Sequence, residues 1–254
     1  MSLSFSVITV CRNSRHTIAR TIESVLSQGY NPLEYIIIDG ASNDGTQDIV
    51  ASYGNTINTF VSEPDGGIAD AFNKGINMAV NDVVALINSD DMLLPGTLET
   101  VADYFRTHPQ TDVVHGDVLL YEGERFVKRI KPSGRWWYPW RLVLFNHPAT
   151  FVRREIYKQH GIYDSSYTIA MDVEIFLRWV RNGVNIDYLP EPLAVVQGGG
   201  VSGKRALEGY REVKTALLSN RFSTILTHIQ FVARLGLQFI LYVSERLRQL
   251  TRDT

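Results

Sequence analysis

Two adjacent aspartates, Asp90 and Asp91, follow five apolar residues, Val83-Val84-Ala85-Leu86-Ile87, with Asn88 and Ser89 between. An unbroken apolar run of this length suits a strand buried on both faces, and ligands of open α/β sheets sit at the C-terminal strand ends. Adjacent carboxylates repel each other. A fold that places both at a strand tip calls for a cation, and hard divalent ions prefer such oxygen ligands. The pair therefore reads as a site for a divalent metal and a nucleotide diphosphate, set against the plainer reading of a solvated loop that closes a strand. Polar groups stand at equivalent places elsewhere: Thr9 in Phe5-Ser6-Val7-Ile8-Thr9-Val10, Asp39 after Tyr35-Ile36-Ile37-Ile38, and Asp65 shortly after Thr59-Phe60-Val61. Solvation alone poorly explains so many polar groups at strand ends.

The elements that must hold these residues alternate. After the first strand, Asn13 or Ser14 is placed to cap a helix with Ile18, Ile22, Val25 and Leu26 at helical spacing. The second strand leads through Asp39-Gly40-Ala41-Ser42-Asn43-Asp44-Gly45-Thr46 into a short helix. The third leads through Glu63-Pro64-Asp65-Gly66-Gly67 into a helix striped by Ile68, Ala71, Phe72, Gly75, Ile76 and Ala79. Such alternation implies a parallel sheet with helices on both faces, bringing Thr9, Asp39, Asp65 and Asp90 to one edge. A dinucleotide-binding Rossmann site is disfavoured, because Thr9-Val10-Cys11-Arg12-Asn13 has no glycine. Beyond Pro95-Gly96 come a helix with Leu98, Val101, Ala102 and Phe105, a strand over Val113–Leu120, and a turn at Glu122-Gly123-Glu124 toward Phe126-Val127.

The alternation then stops. Trp136, Trp137 and Trp140 read as a packed corner, Pro148–Val152 as a strand, and His147 as a hydrogen-bonded structural histidine. Met171-Asp172-Val173-Glu174 opens a helix ended by Asn182-Gly183, where Asp172 also suits a simple dipole partner. Ile186–Pro190 reads as an edge strand. Gln197–Arg205, with four glycines within six residues beside two cations, is a linker or a loop that closes over phosphate. From Ala206 the pattern is helical, with Phe222, Ile225, Leu226, Ile229, Ala233, Gly236, Ile240, Val243, Leu247 and Leu250 on one stripe.

The 254 residues, 44% hydrophobic, suffice for a sizeable core, and the single cysteine, Cys11, excludes a disulfide framework or a Cys-rich zinc site. That cysteine usage, with no signal-peptide pattern at Met1-Ser2-Leu3-Ser4, fits a cytoplasmic location. Residues 1–110 carry 5 Lys+Arg against 13 Asp+Glu, and residues 111–254 carry 20 against 14. The basic half suits an anionic surface; its cations are scattered and no nucleic-acid motif appears, so no nucleic acid is expected. The uncharged run Leu235–Ser244 of the tail is 10 residues. That is well short of the roughly 18–20 needed to span a bilayer. With Arg221, Arg234, Arg246, Arg248 and Arg252 around it, the tail resembles a helix lying in a membrane interface. Packing on the catalytic domain, or a homodimer through the C-terminal helices, gives the same pattern.

Four segments, Phe5–Asn13, Ile37-Ile38-Asp39-Gly40-Ala41-Ser42-Asn43-Asp44-Gly45-Thr46, Asp65–Gly75 with Asp70, Asn73 and Lys74, and Leu86-Ile87-Asn88-Ser89-Asp90-Asp91, together resemble a family 2 glycosyltransferase of the GT-A fold. The resemblance covers roughly residues 4–205 and is strongest to bacterial enzymes that build cell-surface polysaccharide and lipopolysaccharide. It implies an α/β, mostly parallel sheet with helices on both faces: a GT-A (nucleotide-diphospho-sugar transferase-like) domain over 1–205, with a C-terminal amphipathic helical extension over 206–254. It further implies a nucleotide-sugar donor, with UDP favoured. Thr9 and Arg12 would line the nucleotide pocket, Asp39 would hydrogen-bond the base, Asp70 would lie on the diphosphate side, and Asp90 and Asp91 would touch ribose and Mn²⁺ or Mg²⁺. The family often has an acid where this chain has Asn88, so either aspartate is the candidate metal ligand. Asp172 falls where the family keeps its catalytic base.

The chemistry stands beside the name. A nucleotide-diphosphate leaving group gathers charge that a cation on Asp90 and Asp91 neutralises, and a carboxylate such as Asp172 takes the acceptor proton from the opposite face, which inverts the anomeric centre. The expected acceptor is a glycan or lipid-linked glycan at the inner face of the membrane. Nucleotidyl transfer lacks its glycine-rich triphosphate loop here, and glycoside hydrolysis needs two separated carboxyls. A non-catalytic nucleotide-sugar-binding or scaffold subunit is the alternative from another class.

Overall fold

The computed structural model describes residues 2–132, 145–198, 205–229, 231–233 and 236. The tryptophan cluster, most of the glycine-rich segment and the tail stripe beyond Val232, except Ala233 and Gly236, lie outside them. Nine strands form one sheet in the order β3-β2-β1-β4-β8-β6-β9-β5, with β7 on β6. At its centre β1 (Phe5–Cys11) is buried throughout, paired in parallel with β2 (Leu33–Asp39) and β4 (Val83–Asn88); β3 (Thr59–Ser62) continues the parallel run on β2. The other half is mixed. There β8 (Thr150–Arg153) runs antiparallel to both β4 and β6 (Val113–Glu122), β6 pairs in parallel with β9 (Ile186–Gln197), and β5 (Met92–Leu93) and β7 (Arg125–Ile130) add antiparallel edges.

Period-two alternation along β1 sends Phe5, Val7 and Cys11 to one face and Ile8 and Val10 to the other. The first face is covered by α1 (Ile18–Leu26), α2 (Thr46–Ser52) and α4 (Thr97–Thr107), the second by α3 (Ile68–Met78), α5 (Arg154–His160), α6 (Met171–Arg181) and α7 (Ala206–Ser219). The α3–β1 contact requires Gly75, since a Cβ there would stand 2.4 Å from Cγ2 of Ile8. Through Val213, Ala216 and Leu217, α7 belongs to the same core as α6.

Two local expectations are corrected. Neither Asn13 nor Ser14 caps α1: the helix starts after Thr17, and the Ser14 carbonyl instead accepts from Thr17 N and Ile18 N, each at 3.0 Å. The Ser14 hydroxyl is engaged by Ser89, 2.7 Å away, and its N–H donates to Thr46 Oγ1 at 2.8 Å, so cross-loop ties replace the cap. The strand expected from Pro148 begins only at Thr150, because His147–Ala149 is one 3-10 turn closed by Ala149 N to Asn146 O at 2.9 Å.

Candidate active site

The strand register decides where the chemistry collects. Cys11 pairs with Asp39, Asp39 with Ser62, and Val10 with Asn88, so the C-terminal ends of the parallel strands stop side by side. Asp39 is fully buried there. Its Oδ2 accepts from Ser42 N at 2.9 Å and from the Ser62 hydroxyl at 2.6 Å, and its Oδ1 accepts from the Ser42 hydroxyl and from Cys11 Sγ at 3.5 Å. The Cys11 thiol is pushed up by burial first and by Asp39 second, which keeps it protonated as a donor. Thr9, also fully buried, shares its hydroxyl with that of Tyr35 at 3.0 Å, inboard of the strand end.

Over this floor the loops knit together. Asn13 N donates to the Ser42 hydroxyl at 2.7 Å, and Asn43 N to Asn13 Oδ1 at 3.1 Å. Gly40 leaves a cradle, since a Cβ there would stand 2.4 Å from Asp65 Oδ2 and 3.3 Å from Arg12 Cδ. The exposed Arg12 and the half-buried Asp65 thus converge on the Gly40 backbone. Asp65 accepts from Gly67 N at 3.0 Å; Asp70, in the first turn of α3, accepts from Gly66 N at 3.0 Å and lies 3.6 Å from Lys74.

Asp90 is exposed at the tip of β4, whereas Asp91 is only 5% exposed. Asn88 Nδ2 donates to Asp91 Oδ2 at 3.1 Å and Gln197 N to Oδ1 at 3.4 Å, two neutral donors that leave the charge uncompensated. Burial, then the neighbouring Asp90, push the Asp91 carboxyl up to about 7. A cation beside the pair would relieve that repulsion. Among the described residues no three His, Cys, Asp or Glu side chains gather as a metal cage. The pair therefore fits a Mg²⁺- or Mn²⁺-type ion of the kind held by one or two carboxylates and completed by substrate phosphates.

Asp172 occupies the first turn of α6, half-buried, with Oδ1 shut off from solvent and without a hydrogen-bond partner. Burial raises its carboxyl and the nearby His147 opposes that shift. His147 keeps its Nε2 buried and unpaired, and its ring lies 4.9 Å from Phe72 of α3. Phe72 also faces Tyr163 at 5.8 Å, and Asn73 ties α3 to Tyr163 through bonds of 2.8 and 2.9 Å. So in about one helical turn α3 runs from Asp70 to Phe72 and Asn73, which meet His147 and Tyr163. The approach to α6 is held from α7, where Glu212 accepts from Thr168, Ile169 and Ala170 N–H groups at 3.1, 2.8 and 2.7 Å.

The sequence model of Glycosyl transferase family 2 matches residues 6–176. The chain belongs to glycosyl transferase family 2. A PGL/p-HBAD biosynthesis glycosyltransferase of Mycobacterium tuberculosis is 27% identical over 188 residues, 70% of either chain. The putative glycosyltransferase EpsE of Bacillus subtilis is 28% identical over 211 residues, 79% of this chain and 75% of its own. Among solved structures, S. aureus TarS 1–349 in complex with UDP-GlcNAc superposes with TM-score 0.71 at 20% identity over 92% of this chain and 72% of that one. Mannosyltransferase PcManGT from Pyrobaculum calidifontis, in complex with GDP-Man and Mn²⁺, gives 0.65 at 17% identity over 96% and 79%. The chain spans 41% of the longer TarS chain. These likenesses establish the GT-A fold.

In this family 2 glycosyltransferase, register and loop bonds bring Arg12, Asp39, Asp90 and Asp91 to one sheet edge with Thr9 buried beneath it; Asp70 adjoins it through Gly66, and Asp172 stands apart on α6 beside His147. Sequence reasoning placed Asp65 at this edge but missed Ser42 and Ser62, which fix Asp39, and Glu212, which fixes the segment before Asp172. A groove of about 890 Å³ lies at the opposite, N-terminal strand edge, lined by Leu3, Tyr30, Asp82, Glu99, Arg153 and Lys158 among others. Its mixed charge and distance from the strand tips separate it from this chemistry. No helix among the described residues is long and apolar enough to cross a membrane.

Proposed function

We propose that the chain is an inverting glycosyltransferase that moves a sugar from a nucleotide-diphosphate donor, UDP-linked in first choice, to a glycan or lipid-linked acceptor in cell-surface polysaccharide synthesis. The observation that carries this reading is the shared strand edge, where Asp39 is fixed by four donors beside the loop of Arg12 and Asp65, and Asp91 is buried with its charge uncompensated. Arg12 lines the nucleotide pocket, while Thr9, fully buried with its hydroxyl on that of Tyr35, supports it from below. A uracil N–H that reaches Asp39 does so by displacing the Ser62 hydroxyl from Oδ2, and Asp70 stands on the diphosphate side. Asp91 and Asp90 would hold Mn²⁺ or Mg²⁺, and such an ion would supply positive charge to offset that of the departing diphosphate.

Asp172 is the base. It accepts the acceptor hydroxyl's proton as the hydroxyl oxygen forms its bond to the anomeric carbon and the bond to the diphosphate breaks. Burial suits it to the task by making its carboxylate more basic than one in water. The UDP-GlcNAc and GDP-Man complexes of structural neighbours support a nucleotide-sugar donor, and the Mn²⁺ of one supports the metal. The acceptor is met at the inner face of the cell membrane, which the C-terminal helix approaches peripherally.

The test is release of UDP from UDP-GlcNAc with Mn²⁺, with water as the acceptor. Asp172→Asn should lower turnover by about 10²–10⁴-fold while UDP binding survives. Equal loss of UDP affinity would reassign Asp172 to binding, and absence of any donor turnover by the wild-type protein would favour the non-catalytic subunit.

A further inference from the structure

Two buried polar atoms lack partners in neighbouring side chains. Asp172 Oδ1 and His147 Nε2 are both buried without a hydrogen-bond partner, a costly and rare condition in a folded protein. They come from different elements, the first turn of α6 and the 3-10 turn after Asn146, and each acts electrostatically on the other. Their chemistry is complementary: an ionised carboxyl oxygen only accepts, and a neutral imidazole donates from whichever nitrogen carries the proton.

Neither side chain is loosely held. The Asn146 amide donates to the carbonyls of Gly116 and Ile130, each at 3.1 Å, the Thr150 hydroxyl returns to Asn146 O at 2.8 Å, and the imidazole rests on Phe72. Glu212 fixes the backbone just before α6. The groups that face Asp172 are His147, Tyr157 of α5 and Tyr163, with Arg178 acting on Tyr163 in turn; Asp172 is the charge that acts on His147.

We propose that His147 is a positioning residue for Asp172: on acceptor binding its Nε2–H takes the buried Oδ1 and fixes the carboxyl with Oδ2 toward the acceptor hydroxyl. The pairing satisfies both orphaned atoms at once and keeps the carboxyl ionised. It rests on the reading of Asp172 as base, and the experiment separates the two.

The first arm needs no turnover. In ¹H–¹⁵N spectra of the imidazoles, with His147 assigned by its loss in His147→Gln, Asp172→Asn should shift the His147 resonances and lower its titration midpoint, because the carboxylate favours the charged ring. The other five histidines should not move. An unmoved His147 overturns the proposal. The second arm follows UDP-GlcNAc turnover with Mn²⁺. His147→Phe keeps the ring against Phe72 but has no donor; kcat should fall about 10–100-fold, the scale on which orienting partners act, with the donor KM unchanged. The acid limb of its kcat profile should move to higher pH, and His147→Gln, whose amide N–H can donate in place of Nε2, should recover most of the rate. A His147→Phe protein that binds UDP and keeps the wild-type rate and pH profile overturns the positioning role alone. A fully active Asp172→Asn instead removes the base and, with it, this inference.

Discussion

Asp91, 5% exposed beside Asp90, has its carboxyl pushed up from 3.8 to about 7 by burial and then by its neighbour. Folding therefore takes up a proton. This stabilisation is complete below about pH 4 and is lost as pH rises through 7. Asp91→Asn removes the dependence: without metal, its stability advantage over wild type should be absent near pH 4 and reach about 4 kcal/mol at pH 8. UDP with Mn²⁺ should reverse that order by stabilising the wild-type protein alone. Melting curves across this pH range, with and without both ligands, check it. Asp90 and Asp91 were legible in sequence because their chemistry needs only an apolar run and two adjacent acids. Ser62 was not, because its partner Asp39 lies 23 residues away on another strand, and the isolation of His147 Nε2 depends on what fails to surround it.

At the level of elements, α7 acts on Asp172 without touching it. Glu212 is partly buried, which by itself raises its carboxyl, but the N–H groups of Ala170, Ile169 and Thr168 and the Thr168 hydroxyl hold it below the usual 4.5. The stability it contributes is present above the unfolded value and is lost as pH falls through the folded one. Glu212→Gln should therefore be less stable than wild type by about 1–2 kcal/mol at pH 7, the two converging near pH 3, as read by urea unfolding. Turnover should fall too, because the segment before Asp172 loosens. Nothing in Ala206–Ser219 announced this contact, since its partners lie 42–44 residues upstream. The first four strands were legible because helix and strand periods alternate cleanly there. The second half was less so: β5 is two residues long, and β9 runs on through Pro190 and Pro192, past the expected end, because it pairs with β6 across two register shifts that accommodate the prolines.

For the whole molecule, charge and apolar exposure separate the two ends of the chain. An acidic first half carries the proposed donor crevice, and a basic second half contains a helical segment where Ile225, Leu226, Ile229 and Val232 are 74%, 62%, 52% and 67% exposed. A basic amphipathic face of this kind suits an anionic lipid surface. The full chain should sediment with phosphatidylglycerol vesicles and not with phosphatidylcholine ones, and a paired Ile225→Asp and Ile229→Asp variant should lose at least about tenfold of that affinity. A dimer in solution that the same variant dissociates would give the face to a second copy instead. The claim on which all else depends is that one crevice holds cation and diphosphate together, and calorimetric titration of UDP measures it most directly. The account predicts a single site whose affinity drops at least about tenfold when Mn²⁺ is withheld and likewise in Asp91→Ala with Mn²⁺ present. Equal affinity with and without the metal, in both proteins, would contradict it.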